Sequence, residues 1–236
     1  MSLFGFFKTG KVLDAKGLLS SLKSNPGSSQ EVEPVTGNTP LHYACCGGAP
    51  IKVVEALLAA YPDAANMADS EGNLPIMGAV ANGCSSACVQ ALLNANPGSV
   101  RVKKGQHTLL HQAACHNQSA GTVKILLAAW PEAAQEVDEE QNAPLHFAAA
   151  CRAAAAVVEL LLTTAPEVAE WRGLQNRLPL SLALLCEAPP ASVALLRDAN
   201  SLALRDEFIV ADYTNHGHGL GAGHMITDDF DPPVAK

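Results

Sequence analysis

Pro40-Leu41-His42-Tyr43-Ala44 returns later in the chain as Pro144-Leu145-His146-Phe147-Ala148. Weaker copies of the same string are Pro75-Ile76-Met77-Gly78-Ala79, Leu109-Leu110-His111-Gln112-Ala113 and Pro179-Leu180-Ser181-Leu182-Ala183. The second residue of each copy falls at 41, 76, 110, 145 and 180, so the spacings are 35, 34, 35 and 35. Two other signals keep phase with it. Val54, Val89, Val123, Val158 and Val193 precede the leucine pairs Leu57-Leu58, Leu92-Leu93, Leu126-Leu127, Leu161-Leu162 and Leu195-Leu196. Pro62, Pro97, Pro131 and Pro166 follow the first four pairs. A fixed period in this range marks an array of small units, each unable to bury its apolar face alone.

Each unit reads as two helices. Pro40 suits a first helical turn, where its missing N–H costs nothing, and Thr39 before it is a capping residue. The first helix is predicted to run to about Cys46, and Gly47-Gly48 end it. Pro50 starts the second, whose Ile51, Val54, Leu57 and Leu58 share one face at helical spacing. Pro62 stops it, and a polar loop through Asp69, Ser70, Glu71, Gly72 and Asn73 leads onward. Gly83, Ser85 and Ser86 punctuate the second unit, Asn117, Ser119 and Gly121 the third, and Pro189, Pro190 and Ser192 the fifth. The fourth has only Arg152 before Ala153 to Ala156; alanine favours helix, so an extended helix or a distorted turn is expected there.

Composition agrees with stacked helices. Apolar residues are 48% of the 236 and charged residues 16%, too apolar for a disordered chain, while aromatics are only 5%. Such a core is filled by Ala, Leu and Val. The formal net charge of −8 argues against nucleic acid as a partner, since that recognition needs clustered Lys and Arg. Half of the excess lies in residues 207–236, where Glu207, Asp212, Asp228, Asp229 and Asp231 face Lys236 alone. Seven cysteines, an odd number mostly inside apolar helices, fit buried thiols in a reducing compartment better than a disulfide framework. We read no signal peptide and no spanning segment, hence a cytoplasmic or nuclear protein with no membrane insertion.

A Pro-Leu-His-x-Ala start, two helices and a polar hairpin resemble the ankyrin repeat, over roughly residues 34–206. The resemblance implies an all-α, ankyrin-type helical solenoid of five units, each about two residues longer than the family's usual one. Residues 1–33, with Leu13, Leu18, Leu19 and Leu22 on one helical face, are expected to be an N-terminal cap. Residues 207–236 are expected to be an acidic tail: Phe208, Ile209, Val210 and Tyr213 pack, and the stretch from His216 to His224 is Gly-rich and flexible. The family's glycine at the hairpin tip is kept at Gly37 and Gly72 but replaced by Gln106, Gln141 and Asn176, where altered hairpins are expected. By the resemblance, His42, His111 and His146 hydrogen-bond between hairpins and lock neighbouring units.

The same resemblance implies a protein-binding module, adaptor or scaffold, with no cofactor, no metal and no catalysis. The partner would sit on hairpin tips and the outer side of the first helices, against Tyr43, Glu71, Leu74, Gln112, His116, Glu140, Phe147 and Arg152. The acidic loops Asp69-Ser70-Glu71 and Asp138-Glu139-Glu140 favour a partner with a basic rim. A permanent subunit of a larger assembly is the alternative; oligomeric state is open. A metal or enzymatic site is the remaining one: His111 with Cys115 and Cys84 with Cys88 have ligand-like spacing, and His216, His218 and His224 cluster, but none has a second pair. Nucleophile, Walker-type and His-Glu-x-x-His motifs are absent.

Overall fold

The computed structural model describes residues 2–7, 14–116 and 118–200, which leaves the expected tail, including Phe208 to Tyr213 and the three tail histidines, outside the described residues. The described chain forms two compact units, divided in sequence between Val102 and Lys103. The first holds α1 (Phe4–Phe7), α2 (Ala15–Ser24), α3 (Pro40–Cys46), α4 (Ile51–Ala60), α5 (Pro75–Ala81) and α6 (Ser86–Ala95). The second holds a small hairpin of β1 (Lys103–Lys104) and β2 (His107–Thr108), then α7 (Leu109–Cys115), α8 (Ala120–Ala129), α9 (Pro144–Ala150), α10 (Ala155–Thr164), α11 (Pro179–Leu185) and α12 (Pro190–Ala199). From α3 onward, seven-residue and ten-residue helices alternate. Each type packs on its own kind: α3 on α5 and α2, α4, α6 in series in the first unit; α7, α9, α11 and α8, α10, α12 in series in the second.

One turn joins every helix pair. The N–H of Ala49, Cys84, Gln118, Ala153 and Ala188 donates to the carbonyl of Ala44, Ala79, Ala113, Ala148 and Ala183, at 2.8–3.0 Å. The residue before this donor is left-handed wherever it is described: Gly48, Gly83, Arg152 and Glu187 all have positive φ. The fourth turn is therefore neither extended nor distorted, contrary to the alanine-run expectation. Ala153 is fully buried at the position of Ala49 and Ala188, and that seat holds Arg152 at φ 61°. Helix propensity among such residues is worth a fraction of a kcal/mol per position, and tertiary burial overrides it. A second correction concerns Pro62, Pro97, Pro131 and Pro166. Each opens a five-residue 3-10 turn before the loop begins, and each turn buries a pair of small side chains such as Ala64-Ala65 or Ala133-Ala134.

Within each unit the core repeats at the period of the sequence, with one deep leucine in each second helix. Leu57, Leu92, Leu126, Leu161 and Leu196 are each no more than 2% exposed. In the last helix the deep position is the second leucine of the pair, which keeps the spacing of 35 from Leu161. Burying one such leucine contributes about 1.5–3 kcal/mol. Polar columns run alongside. Asn96 Nδ2 donates to the Ala65 carbonyl and Asn200 Nδ2 to the Ala169 carbonyl, both at 3.2 Å, and Ser192 Oγ donates to the Ala153 carbonyl at 2.9 Å.

Three buried histidines tie helix starts to the next hairpin. His42 Nδ1 accepts from the Thr39 N–H at 3.1 Å, and its Nε2 reaches the Asn73 carbonyl at 3.1 Å. His111 repeats this with Thr108 (3.2 Å) and Asn142 (3.0 Å), and His146 with Ala143 and Trp171 (3.1 Å each). A backbone N–H can only donate and a carbonyl can only accept, so each ring is neutral with its proton on Nε2. The interlock implied by the family resemblance is thus present in all three copies that carry His.

Where the tip glycine is missing, the third and fifth hairpins are altered as expected, and the fourth, at Gln141, is not. Gln141 keeps the left-handed conformation of Gly72 (φ 64° against 82°), with its N–H donating to the Asp138 carbonyl as that of Gly72 does to Asp69. In the third copy Gly105, one residue before Gln106, takes the positive φ inside a two-residue loop between β1 and β2. In the fifth, both Gln175 and Asn176 are left-handed.

Two measurements follow from this geometry. Burial lowers the pKa of His42 and carries His111 and His146 down from 6.5 to about 4. Between those values the unfolded chain binds protons that the folded chain refuses, so stability is full above pH 6.5 and is lost as pH falls towards 4. Denaturant unfolding should show this loss, up to about 3 kcal/mol each for His111 and His146, and His111→Asn should flatten the slope as well as lower stability at pH 7. Gln141→Gly should raise stability by about 0.5–1 kcal/mol in the same assay, because it removes a left-handed side chain, whereas Gly72→Ala should lower it by a similar amount.

Candidate partner-docking surface

One hairpin tip in each unit is built the same way, around Asp69 and Asp138. Asp69 Oδ1 accepts the N–H groups of Glu71 and Asn73, both at 2.9 Å, and its Oδ2 accepts from Asn73 Nδ2 at 3.0 Å. Asp138 does the same for Glu140 (2.9 Å) and Asn142 (2.8 Å), with Asn142 Nδ2 at 3.2 Å. An aspartate that bonds its own backbone two and four residues on fixes the turn. Burial raises the Asp138 carboxyl pKa, but bonds from His107, Asn142 and Glu140 outweigh it and hold the group below the usual value. Asp69 and Asp138 are thus internal struts. The acid presented outward is Glu71 at one tip and Glu139 with Glu140 at the other, all three exposed.

Neighbouring tips are tied within each unit. In the first, the Ser70 N–H donates to the Thr36 carbonyl at 2.8 Å, and Gly37 is needed because a Cβ there would lie 2.9 Å from the Ser70 nitrogen. In the second, Asn142 Oδ1 accepts the Leu174 N–H at 3.0 Å. The exposed Lys103–Glu136 pair at 2.6 Å bridges β1 to the next loop and adds little stability in water.

The structure sorts the eight residues named from sequence. Glu71, Glu140 and Arg152 are exposed; Tyr43 and His116 are half-buried. Leu74, Gln112 and Phe147 are buried, which corrects their assignment to a docking face. Leu74 is the residue that caps α5, in the column of Thr39 and Thr108, and faces the stack. Gln112 and Phe147 share a column on α7 and α9, and helix-on-helix packing covers it. The Phe147 ring is met edge-on by His107 and His111, with centroids 5.4 Å away in each case. Tyr43, in that column of the first unit, lies under the N-terminal helix. Phe7 stacks on it at 5.9 Å, Phe4 meets its edge at 5.5 Å, and its hydroxyl donates to Glu33.

The remaining residues do not form one patch. Glu140 precedes α9 and Arg152 follows it, so they stand at opposite ends of a seven-residue helix, about 10 Å long at 1.5 Å per residue. His116 caps the C-terminus of α7, at the same end of its helix as Arg152. Glu139, read from sequence as part of the acidic loop but not among the eight named contacts, is exposed beside Glu140.

The ligand-like spacings serve packing. Both ring nitrogens of His111 are engaged by backbone. Cys84 Sγ donates to the Cys45 carbonyl at 3.2 Å and Cys88 Sγ to the Ala49 carbonyl at 3.8 Å. Burial pushes the Cys84 thiol up to about 12 and Cys46 to about 11. Among the described residues no three His, Cys, Asp or Glu side chains are grouped to hold a metal ion, and no helix is long and apolar enough to cross a membrane.

Comparison with known proteins follows the architecture. No curated protein matches the sequence. A chain of the complex of the predatory endopeptidase Bd0816 from Bdellovibrio bacteriovorus with immunity protein Bd3460 is similar, at 18% identity and TM-score 0.63, covering 84% of this chain and 98% of that one. The human ASB11 ankyrin repeat domain is similar at 24% identity and TM-score 0.58, covering 79% of this chain and 81% of that one. At these identities the likeness shows the fold alone. The sequence profile for ankyrin repeats, three copies long, matches residues 13–104 and 76–170. Ankyrin repeats are protein–protein interaction modules, typically without catalysis, and this chain, with its stacked helix pairs and histidine-locked hairpins, belongs to the ankyrin repeat family.

Proposed function

We propose that the chain is an adaptor or scaffold module that holds another protein against its hairpin tips, without catalysis or a cofactor. The observation that carries the reading is the pair of rigid acidic tips. Asp69 and Asp138 spend their carboxylates on the turn, and this leaves Glu71 in one unit and Glu139-Glu140 in the other displayed on a fixed frame. A frame fixed before binding loses little conformational entropy on association. Exposed acid of this kind speeds approach and selects for a partner with a basic rim. Tyr43, His116 and Arg152 stand as secondary contacts, and Leu74, Gln112 and Phe147 contribute the packing that holds the frame. Residues 1–33 are proposed as the cap of the array and 34–206 as its repeats. The similar chain from a complex with an immunity protein supports protein binding as a use of this fold, and says nothing of this chain's own partner.

A permanent place in a larger assembly would call for a broad apolar surface. Among the described residues the exposed large apolar side chains are instead two pairs far apart in sequence, Val32 with Val35 and Leu184 with Leu185, and not one broad surface.

Affinity capture from the native cell with wild type, a Glu71→Lys/Glu140→Lys double variant and a Glu55→Lys control tests the reading. Glu55 is exposed on α4, away from the tips. A protein retained by wild type and by the control but reduced about tenfold by the double variant, with association that slows as salt rises, is the expected result. Equal retention by all three would exclude the acidic tips as the docking site.

A further inference from the structure

Cys115 and Cys151 sit together in the second unit. The Cys151 thiol donates to Cys115 Sγ at a sulfur–sulfur distance of 3.5 Å. Cys115 is the last residue of α7 and Cys151 is the capping residue that ends α9, so the stacking of these helices brings the thiols into contact. Both are free and only half-buried. Cys45, Cys84 and Cys88 are buried. Cys186 ends α11, one repeat beyond Cys151 and at the equivalent position.

We propose that Cys115 and Cys151 are a site of reversible oxidative modification, at which exchange with a low-molecular-weight disulfide forms a disulfide between successive repeats. The Cys115 thiolate attacks one sulfur of the small disulfide, forming a mixed disulfide and releasing one small thiolate. Cys151 then loses its proton and attacks Cys115 Sγ, breaking the mixed disulfide and releasing the second small thiolate. The protein gives up two protons and two electrons, and the small disulfide takes them up to become two thiols. Excess small thiol reverses both steps.

The electrostatics agree with this order of attack. The hydrogen bond from Cys151 holds the Cys115 thiol below the ordinary cysteine value; burial opposes this, and His107 adds to it. The same contact, with burial, drives the Cys151 thiol up, which suits the thiol that resolves rather than the one that attacks first. A disulfide needs the sulfurs to close from 3.5 Å to about 2 Å. The bond would cross-link the ends of α7 and α9, directly beside His116 and Arg152.

The test uses the full reduced chain, treated with oxidised glutathione, alkylated and digested with trypsin. Cys115, Cys151 and Cys186 fall in different tryptic peptides, residues 105–124, 125–152 and 178–197. The expected product is peptide 105–124 joined to 125–152, an intact mass lower by two hydrogens, and reversal by dithiothreitol. Cys186→Ser should keep the link. Cys151→Ser should leave glutathione stably attached to Cys115 and not to the buried Cys45, Cys84 and Cys88, which an unfolded chain would expose as well. A link that includes Cys186, glutathione adducts on wild-type Cys115 or Cys151 without a link, or no reaction at either thiol would overturn the proposal.

Discussion

A buried imidazole can serve two hairpins at once only while it is neutral and protonated on Nε2. Its Nδ1 takes a backbone N–H at the start of its own helix, and its Nε2–H is given to a carbonyl of the next hairpin. Buried polar groups must be paired, so two otherwise costly backbone groups are satisfied by one side chain at each rung. His146 shows which part matters. Ala143 stands where Thr39 and Thr108 supply a hydroxyl, yet the ring makes both backbone bonds at 3.1 Å. Met77 and Ser181 occupy the same register without an imidazole.

Much of the fold was legible because its signals are local. Proline at the first helical turn, the paired leucines and the 34–35 residue period each act through a few neighbouring residues, and the helices start and stop close to where those residues predict. What was not legible depends on contacts made across the repeat. Nothing near Arg152 or Gln141 announces a left-handed backbone. The seat for Ala153 imposes the first, and the Asp138 turn imposes the second. Both cost of the order of 1 kcal/mol, which buried neighbours offset.

The docking residues were legible as columns and not as depths. Tyr43, Gln112 and Phe147 share a register, but a register says which way a side chain points and not what covers it. Two imidazoles cover Phe147, and the N-terminal helix covers Tyr43. The acidic loops were read as uniform charge, whereas their first aspartate turns inward to hold the loop and only the glutamates remain outside. Struts beneath exposed acid hold these two hairpin tips in a fixed turn.

The most direct test of the neutral-rung account is the nitrogen-15 NMR spectrum of the three imidazoles, followed with pH. The account predicts that His42, His111 and His146 each show a protonated Nε2 and a bare Nδ1, and that His111 and His146 keep those shifts from pH 7 to below pH 5. Rings that titrate near the ordinary histidine value of about 6.5, or that carry the proton on Nδ1, would contradict it.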